Sequence, residues 1–325
     1  MVNRILKTLW RTVLVFKSIG VIAFFKKHDK RSENLIIVWS SFPRGCGLYF
    51  YSDAFANDAA LILAGINRLE SFQIKLGISD MGDYRNRNIL LNMNRFYNSN
   101  GFRNYSTALT DFIKQLESQS NKVFPSSNES RFWENKVFMH DEFERLKIKT
   151  PVTKIVDLNE NIFELPLLNF PFLVKEVHSS GSKGVYKVAN EKEYTLLVSS
   201  EKIQSNNKHV LVQELLCMDR DLRVILIGDE IVLHYWRINT AKEWKPTSTK
   251  HGSLVDFDYF PEQWREHIVS EFNKLSIETG AFDVVWENND YTMEPYFLEV
   301  SPSYQPNPKP PGNLKKSYGR YKNSF

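Results

Sequence analysis

The stretch from Phe170 to Val188, FPFLVKEVHSSGSKGVYKV, limits what this chain can fold into more than any other. A short apolar run from Pro171 to Val174 ends on Lys175. A polar turn follows, Ser179-Ser180-Gly181-Ser182-Lys183-Gly184, and then the alternating Val185-Tyr186-Lys187-Val188. Short apolar runs around a Gly/Ser cluster predict a β-hairpin with a flexible tip. Glycine lets backbone approach a ligand closely, and successive N–H groups in such a turn form a concave anion site. A lysine leaving the strand just before it adds a point charge for phosphate. An ordinary exposed hairpin has the same composition, so the stretch alone leaves both readings open. It is not a Walker loop, because no Gly-x-x-x-x-Gly-Lys-Ser/Thr occurs and no evident helix follows.

Length and composition narrow the class. A chain of 325 residues has room for two domains or a two-lobed enzyme with a sizeable core. A hydrophobic content of 42% with 25% charged residues is that of a globular rather than a disordered protein. The net charge of +4 is unevenly spread: residues 1–31 carry +7, leaving −3 for the remainder. A mildly acidic body argues against a general nucleic-acid surface. Cys46 and Cys217 stand apart from each other and from any Cys/His grouping. Each reads as a small apolar residue in a reducing, cytoplasmic setting, not as part of a disulfide framework or zinc site.

The basic excess has a pattern of its own. Arg4, Lys7 and Arg11 fall on one helical face and Ile5, Leu9, Val13 and Phe16 on another, followed by Phe24, Phe25, Lys26 and Lys27. The apolar run from Thr12 to Phe25 is broken by Lys17, too short for a membrane span, and lacks a small-residue cleavage pattern. Two readings remain. Residues 1–28 form a basic amphipathic helix on an anionic membrane surface, making the protein peripheral on the inner face, or they pack on the protein's own core.

In order, the rest alternates strands and helices, an α/β (α+β) chain. Asn34–Val38, a Gly/Pro loop at 40–47 and a helix at Ser52–Gly65 suggest the first unit of an open α/β sheet. Loops at strand C-termini commonly hold ligands, so Arg44, Gly45 and Gly47 either face a substrate or form a plain turn. Phe72–Ile78 is a second strand, 81–105 has no clear period, Leu109–Ser118 is helical, and Lys122–Pro125 is a last short strand before a boundary near 127–130. Glu134–Lys149 has helical spacing and is stopped by Thr150-Pro151. Lys154–Val156, Phe172–Lys175 and His209–Leu216 read as strands of a smaller central lobe, with a helix at Glu191–Ser200. Leu222–Leu233 gives two strands turning at Gly228-Asp229, continued by His234–Arg237. Pro261–Thr279 is an amphipathic helix with Gly280 as terminator, and strands near Phe282–Trp286 and Tyr296–Val300 close the core.

Two of these apolar strands carry a carboxylate, Asp283 and Glu299. Such a group is costly to bury unless paired or metal-bound, so the two either share a metal or point into solvent. No convincing Ser/His/Asp or Cys/His set is visible.

The order of motifs carries a resemblance. Asn135-Lys136-Val137-Phe138-Met139-His140 opens a helix, then come the hairpin, VLVQELL (210–216), Asp219-Arg220-Asp221-Leu222-Arg223, Arg237, GAFDVVW with Asp283, and FLEVSPS (297–303). Over roughly 130–325 this set resembles the ATP-grasp superfamily, in particular carboxylate–amine ligases related to ribosomal-protein glutamate ligase and glutathione synthetase. After the basic segment (1–31) and the N-terminal open α/β lobe (32–128), the resemblance implies a two-lobed ATP-grasp domain (129–325). In the last, a central small lobe covers about 152–215 and a C-terminal lobe about 216–325. It implies ATP and two magnesium ions, with manganese as a substitute. Lys136, Lys175 and the loop Ser180, Gly181, Ser182, Lys183 and Gly184 then match phosphate-binding positions. Glu214, Leu215 and Leu216 match the adenine edge, Asp221 the ribose hydroxyls, and Lys245 a nearby basic position. Arg223 and Arg237 stand beside the phosphates as catalytic groups, while Asp283, Glu299 and Ser301 match the metal ligands.

Some positions depart from that pattern. Ser301 replaces the asparagine of a Glu-x-Asn pair; its hydroxyl can ligate magnesium but is shorter than an amide, with Asn307 in the tail as a candidate substitute. Lys245-Pro246-Thr247 replaces an Arg-x-Asn. The implied reaction turns a small-molecule or glycan carboxylate into an acyl phosphate that an amine attacks, releasing ADP and phosphate. A membrane-surface helix would suit glycan or envelope biosynthesis. An ATP-grasp kinase acting on a hydroxyl, and a nucleotide-binding protein without turnover, share the same ATP site and stay open.

Overall fold

The computed structural model describes residues 28–38, 70–76, 84–92, 105–158, 165–179, 182, 184–205, 207–241, 243–248 and 251–302. The basic segment up to residue 27, the loop with Arg44, Gly45 and Gly47, the helix expected at 52–65, and Asn307 lie outside these residues. So do Ser180, Gly181 and Lys183. The described residues divide into two compact units between Ser127 and Asn128.

In the first unit β1 (Asn34–Val38), β2 (Gln73–Leu76), β3 (Asn88–Asn92) and β4 (Lys122–Phe124) form a parallel sheet in the order β2-β1-β3-β4. Parallel pairing needs a crossover between strands. α1 (Tyr105–Glu117) follows β3, and its Leu109, Ile113 and Leu116, three and four apart, are buried like Leu35, Ile36, Ile89 and Val123 of the sheet. This is the open α/β architecture expected. β3 is an addition, because NILLN sits in an Asn/Arg-rich region where five residues are too few to show a period.

The division falls within α2 (Ser127–Arg131), after its first residue, and the second unit goes on with α3 (Lys136–Arg145) and two antiparallel sheets. β5 (Thr153–Asp157), β6 (Phe172–Glu176), β7 (Val185–Val188) and β8 (His209–Glu214) pair in the order β5-β8-β6-β7. β6 and β7 are the two arms of the predicted hairpin, in register from Phe172 opposite Val188 to Lys175 opposite Val185. Phe172 and Val174 pack with Val210, Val212 and residues of α4 (Glu191–Val198) and α5 (Glu201–Gln204). The two-residue period of a strand leaves Lys175 on the other face.

The larger sheet is β11-β10-β9-β12-β13, formed by β9 (Arg220–Ile227), β10 (Glu230–Ile238), β11 (Leu254–Asp256), β12 (Thr279–Val285) and β13 (Tyr296–Ser301). Leu222, Val224, Leu226, Phe282, Val284 and Phe297 pack with Met139 and Phe143 of α3 and with Ile268 and Phe272 of α6 (Arg265–Lys274). Phe282 stacks on Phe297 at 4.5 Å between ring centroids, and its truncation to alanine would cost about 3–5 kcal/mol. The same alternation puts Asp221, Arg223, Arg237 and Asp283 together on the opposite face. α6 is shorter than its amphipathic stretch, because the chain turns at Ser276, φ +53°. Gly280 does not terminate it but lies within β12, where a Cβ would stand 3.0 Å from the Phe272 ring. Among the described residues no helix is long and apolar enough to cross a membrane.

Candidate active site

Asn135 caps α3, its side chain accepting from the Phe138 N–H at 3.3 Å. The first helical residue, Lys136, therefore points at the hairpin and is only 5% exposed, not solvated as a bare helix position would be. Its ammonium donates to the Ser179 carbonyl and, at 3.2 Å, to Ser179 Oγ, while its backbone N–H donates to Val177 O at 3.4 Å. Helix start and loop base, 43 residues apart in sequence, form one piece. The loop ends on Gly184, φ +68°, a left-handed conformation natural to glycine. A Cβ there would come 2.8 Å from the Glu176 side chain, which Tyr186 Oη holds through a 2.6 Å hydrogen bond.

Lys175 leaves β6 on the same side as Gln213 of β8 and donates to its Oε1; Gln213 in turn donates to Thr153 Oγ1 at 2.8 Å. Burial, opposed first by Glu299 and reinforced by Lys136, pushes Lys175 down to about 8. His140, one turn along α3 from Lys136, is buried, and neither ring nitrogen has a hydrogen-bond partner among the described residues. Burial, then the charges of Lys175 and Lys136, push it down to about 3, so the ring is neutral.

The arginines lie on the larger sheet. Arg223 stands opposite Asp283 in the β9–β12 register and donates from Nη1 to both carboxylate oxygens, at 3.0 and 3.2 Å. Arg237 binds Asp221 in a fork, Nε to Oδ1 at 2.8 Å and Nη2 to Oδ2, and Nη2 also lies 2.8 Å from Asp283 Oδ2. Thr247 Oγ1 donates to Asp221 Oδ2 at 2.9 Å. Burial works against the charge on Arg237, but Asp221 and then Asp283 outweigh it and hold its pKa high.

Asp283 is also opposite Glu299 in the β12–β13 register, beside a bulge, and Ser301 follows two residues on along the same face. Two carboxylates and a hydroxyl are hard oxygen donors of the kind magnesium takes together with phosphate oxygens and water, so the set fits that ion. Among the described residues no three Asp, Glu, His or Cys side chains form a closed cage. An ion here would draw its other ligands from phosphate and water.

The remaining expected residues fall in different surroundings. Glu214 ends β8 with its N–H on Val152 O at 2.9 Å, and its Oε2 accepts from the Val152 N–H at 3.3 Å. Leu215 is half-buried and Leu216 buried, which leaves an apolar edge. Ser182 is described at φ +59° within the loop. Lys245 is exposed, and Thr247, two residues on, is the member of that segment that reaches the charged cluster. Asp221, expected at the ribose, is only 2% exposed and accepts from Arg237 at both oxygens and from Thr247 at one. Sequence reasoning passed over Gln213, whose signal was a polar residue in the run Val-Leu-Val-Gln, and Ser179, whose role depends on a lysine far away in sequence.

Residues 134–302 match the RimK-like ATP-grasp domain, a span that contains every side chain of this cluster. A D-alanine–D-alanine ligase from Prochlorococcus marinus is 30% identical over 158 residues, 45% of this chain and only 43% of that ligase. The RimK-domain ATP-grasp protein from Sphaerobacter thermophilus superimposes with a TM-score of 0.57 at 12% identity, covering 90% of this chain and 98% of that one. The D-alanine–D-alanine ligase from Bacillus anthracis, complexed with ATP, gives 0.56 at 13% identity, covering 89% and 93%. At these identities the two structures show a shared fold.

Proposed function

We propose that this chain, which belongs to the RimK-like ATP-grasp family, is an ATP-dependent ligase joining a carboxylate to an amine through an acyl phosphate. The observation that carries the reading is the meeting of four cations and three carboxylates, Asp221 gripping Arg237 among them, within one compact unit. Lys136 and Lys175 stand at the hairpin, Arg223, Arg237, Asp221, Asp283 and Glu299 on the larger sheet, and Lys175 senses the charge of Glu299 and Asp283.

Phosphoryl transfer to a carboxylate is chiefly a matter of neutralising charge and aligning reactants. In this reading Lys136 and Lys175 receive the ATP phosphates beneath the loop that ends at Gly184, and the edge at Glu214–Leu216 receives adenine. Asp283, Glu299 and Ser301 would hold magnesium, which when bound neutralises phosphate oxygens. Arg223 and Arg237 offer the guanidinium N–H groups not held by Asp221 to the transferring phosphoryl group and the acyl oxygen. The amine then attacks the acyl carbon and phosphate leaves, so no protein nucleophile is required.

The acid is a small-molecule or glycan carboxylate on this reading, with an envelope precursor favoured by the basic segment 1–28, and the enzyme works in the cytoplasm against the inner membrane face. Support for that setting is the +7 charge of residues 1–31. Sedimentation with anionic vesicles at low salt, lost on deleting residues 1–28, is the expected result; no sedimentation of the full chain removes the membrane from the proposal. The ligase itself is tested with hydroxylamine in place of the amine, over a panel of amino acids and sugar acids. ADP release should depend on the carboxylate and yield a hydroxamate. A stable phosphorylated hydroxyl would establish a kinase instead, and ADP release indifferent to carboxylates would sink the ligase reading.

A further inference from the structure

Asp221 sits where the resemblance placed a ribose ligand, yet its surroundings are closed. Oδ1 accepts from Arg237 Nε at 2.8 Å, and Oδ2 accepts from Arg237 Nη2 and from Thr247 Oγ1 at 2.9 Å. A two-pronged grip of this kind fixes a guanidinium in plane and direction. The grip is made by a bulge. β10 starts with Glu230 opposite Ile227 and Ile231 opposite Leu226, a register that, continued unbroken, sets Trp236 opposite Asp221. The shift between Ile231 and Leu233 moves the pairing by one residue, brings Arg237 opposite Asp221 and leaves Trp236 in the core. Thr247, standing where the resemblance has asparagine, supplies the third hydrogen bond from a segment beyond β10.

We propose that Asp221 and Thr247 are positioning residues that aim Arg237: the carboxylate grips one edge of the guanidinium, and the hydroxyl stops the carboxylate from rotating away. The free reach of Arg237 is thereby directed at Asp283, where a terminal phosphoryl group would meet it. This rests on the ligase reading, in which Arg237 serves the transferring phosphoryl group. Three donors already fill most of this carboxylate's acceptor positions, and at 2% exposure it offers no open face to a pair of ribose hydroxyls.

Calorimetric titration of the full chain with magnesium–ATP, magnesium–ADP and magnesium–2′-deoxy-ATP tests this without knowledge of the acceptor. Binding of neither ATP nor ADP by the unaltered protein overturns the ATP-site reading itself, and equal affinity for the two removes Arg237 from the terminal phosphate. Given a preference for ATP, Arg237→Ala and Asp221→Asn should each lower that preference roughly tenfold, with ADP affinity and the ATP to 2′-deoxy-ATP ratio unchanged. Thr247→Val should lower it about threefold, the loss of one hydrogen bond, and Thr247→Ser should match the unaltered protein. Equal weakening of ATP and ADP in Asp221→Asn, with loss of discrimination against 2′-deoxy-ATP, would mark a ribose ligand and overturn the proposal. Circular dichroism reports folding. Should Asp221→Asn not fold, Thr247→Val decides: a lowered preference supports the proposal and an unchanged one overturns it.

Discussion

At the base of the glycine hairpin two lysines are held by neutral acceptors, the Ser179 carbonyl and the Gln213 amide, whereas on the larger sheet two arginines are held by carboxylates, Asp221 and Asp283. The first region holds positive charge in excess, and burial penalises it, which is why Lys175 is pushed down to about 8. The second is nearly balanced, and Arg237 is held firmly charged. On the proposed reading, an incoming polyphosphate supplies what the lysines lack. On the same reading, the arginines reach that phosphate by giving up part of their hold on Asp283. The side chains suit the division: a compact ammonium titrates and moves, while a planar fork keeps direction.

The contrast is tested most severely by stability. Arg237→Ala strands a buried carboxylate and should cost about 3–5 kcal/mol in urea unfolding, whereas Lys175→Met, which removes a charge whose burial outweighs the pull of Glu299 and Asp283, should be close to neutral or stabilising. Similar losses in the two variants would break the comparison.

Nucleotide affinity comes next. Lys175→Ala should weaken magnesium–ATP by roughly tenfold or more in a calorimetric titration, since it removes a charge-assisted contact. Unchanged affinity in a folded variant would take Lys175 out of the phosphate site.

The pH profile sharpens the lysine side. Lys175 lies below its ordinary 10.5, so between about 8 and 10.5 the unfolded chain binds the proton that the folded one releases, and stability rises with pH across that window. Lys175→Met should flatten the rise, and Glu299→Gln should extend it below 8 by removing the main charge that opposes the depression. His140 acts in the acid range. Lowered from 6.5 to about 3, it makes stability fall as pH drops through 6.5, and His140→Phe should remove that part of the fall. Unfolding free energies at a series of pH values report both.

The smallest effect is expected at Ser301. Ser301→Asn should leave the magnesium dependence of ATP binding unchanged or strengthen it a few-fold, since an amide oxygen reaches further than a hydroxyl. Weakened dependence would make the serine a specific feature of this site.

Much of this was legible beforehand. The ATP-grasp resemblance, the hairpin arms, the strand VLVQE and the strands carrying Asp283 and Glu299 all appear in the structure, because apolar or alternating runs bounded by turn residues advertise themselves. β3 was not legible, for its apolar core Ile89-Leu90-Leu91 is shorter than any useful window. Gly280 was misread because a glycine after an amphipathic run looks the same whether it ends a helix or makes room for a ring such as Phe272.

The sequence by itself determined which side chains carry charge, which strands alternate, and that a capped helix start and a Gly/Ser loop are both present. Only the tertiary structure decided who meets whom. Lys136 finds Ser179, Asp221 is closed by Arg237 and Thr247, and Asp283 faces Arg223 on one side and Glu299 on the other. Those partnerships depend on strand register, and single bulges, between Ile231 and Leu233 and beside Asp283, shift the pairing by one residue. In a structure with a two-residue period, such a shift exchanges the side chains that face the site for those that face the core, and it leaves no trace in composition or spacing.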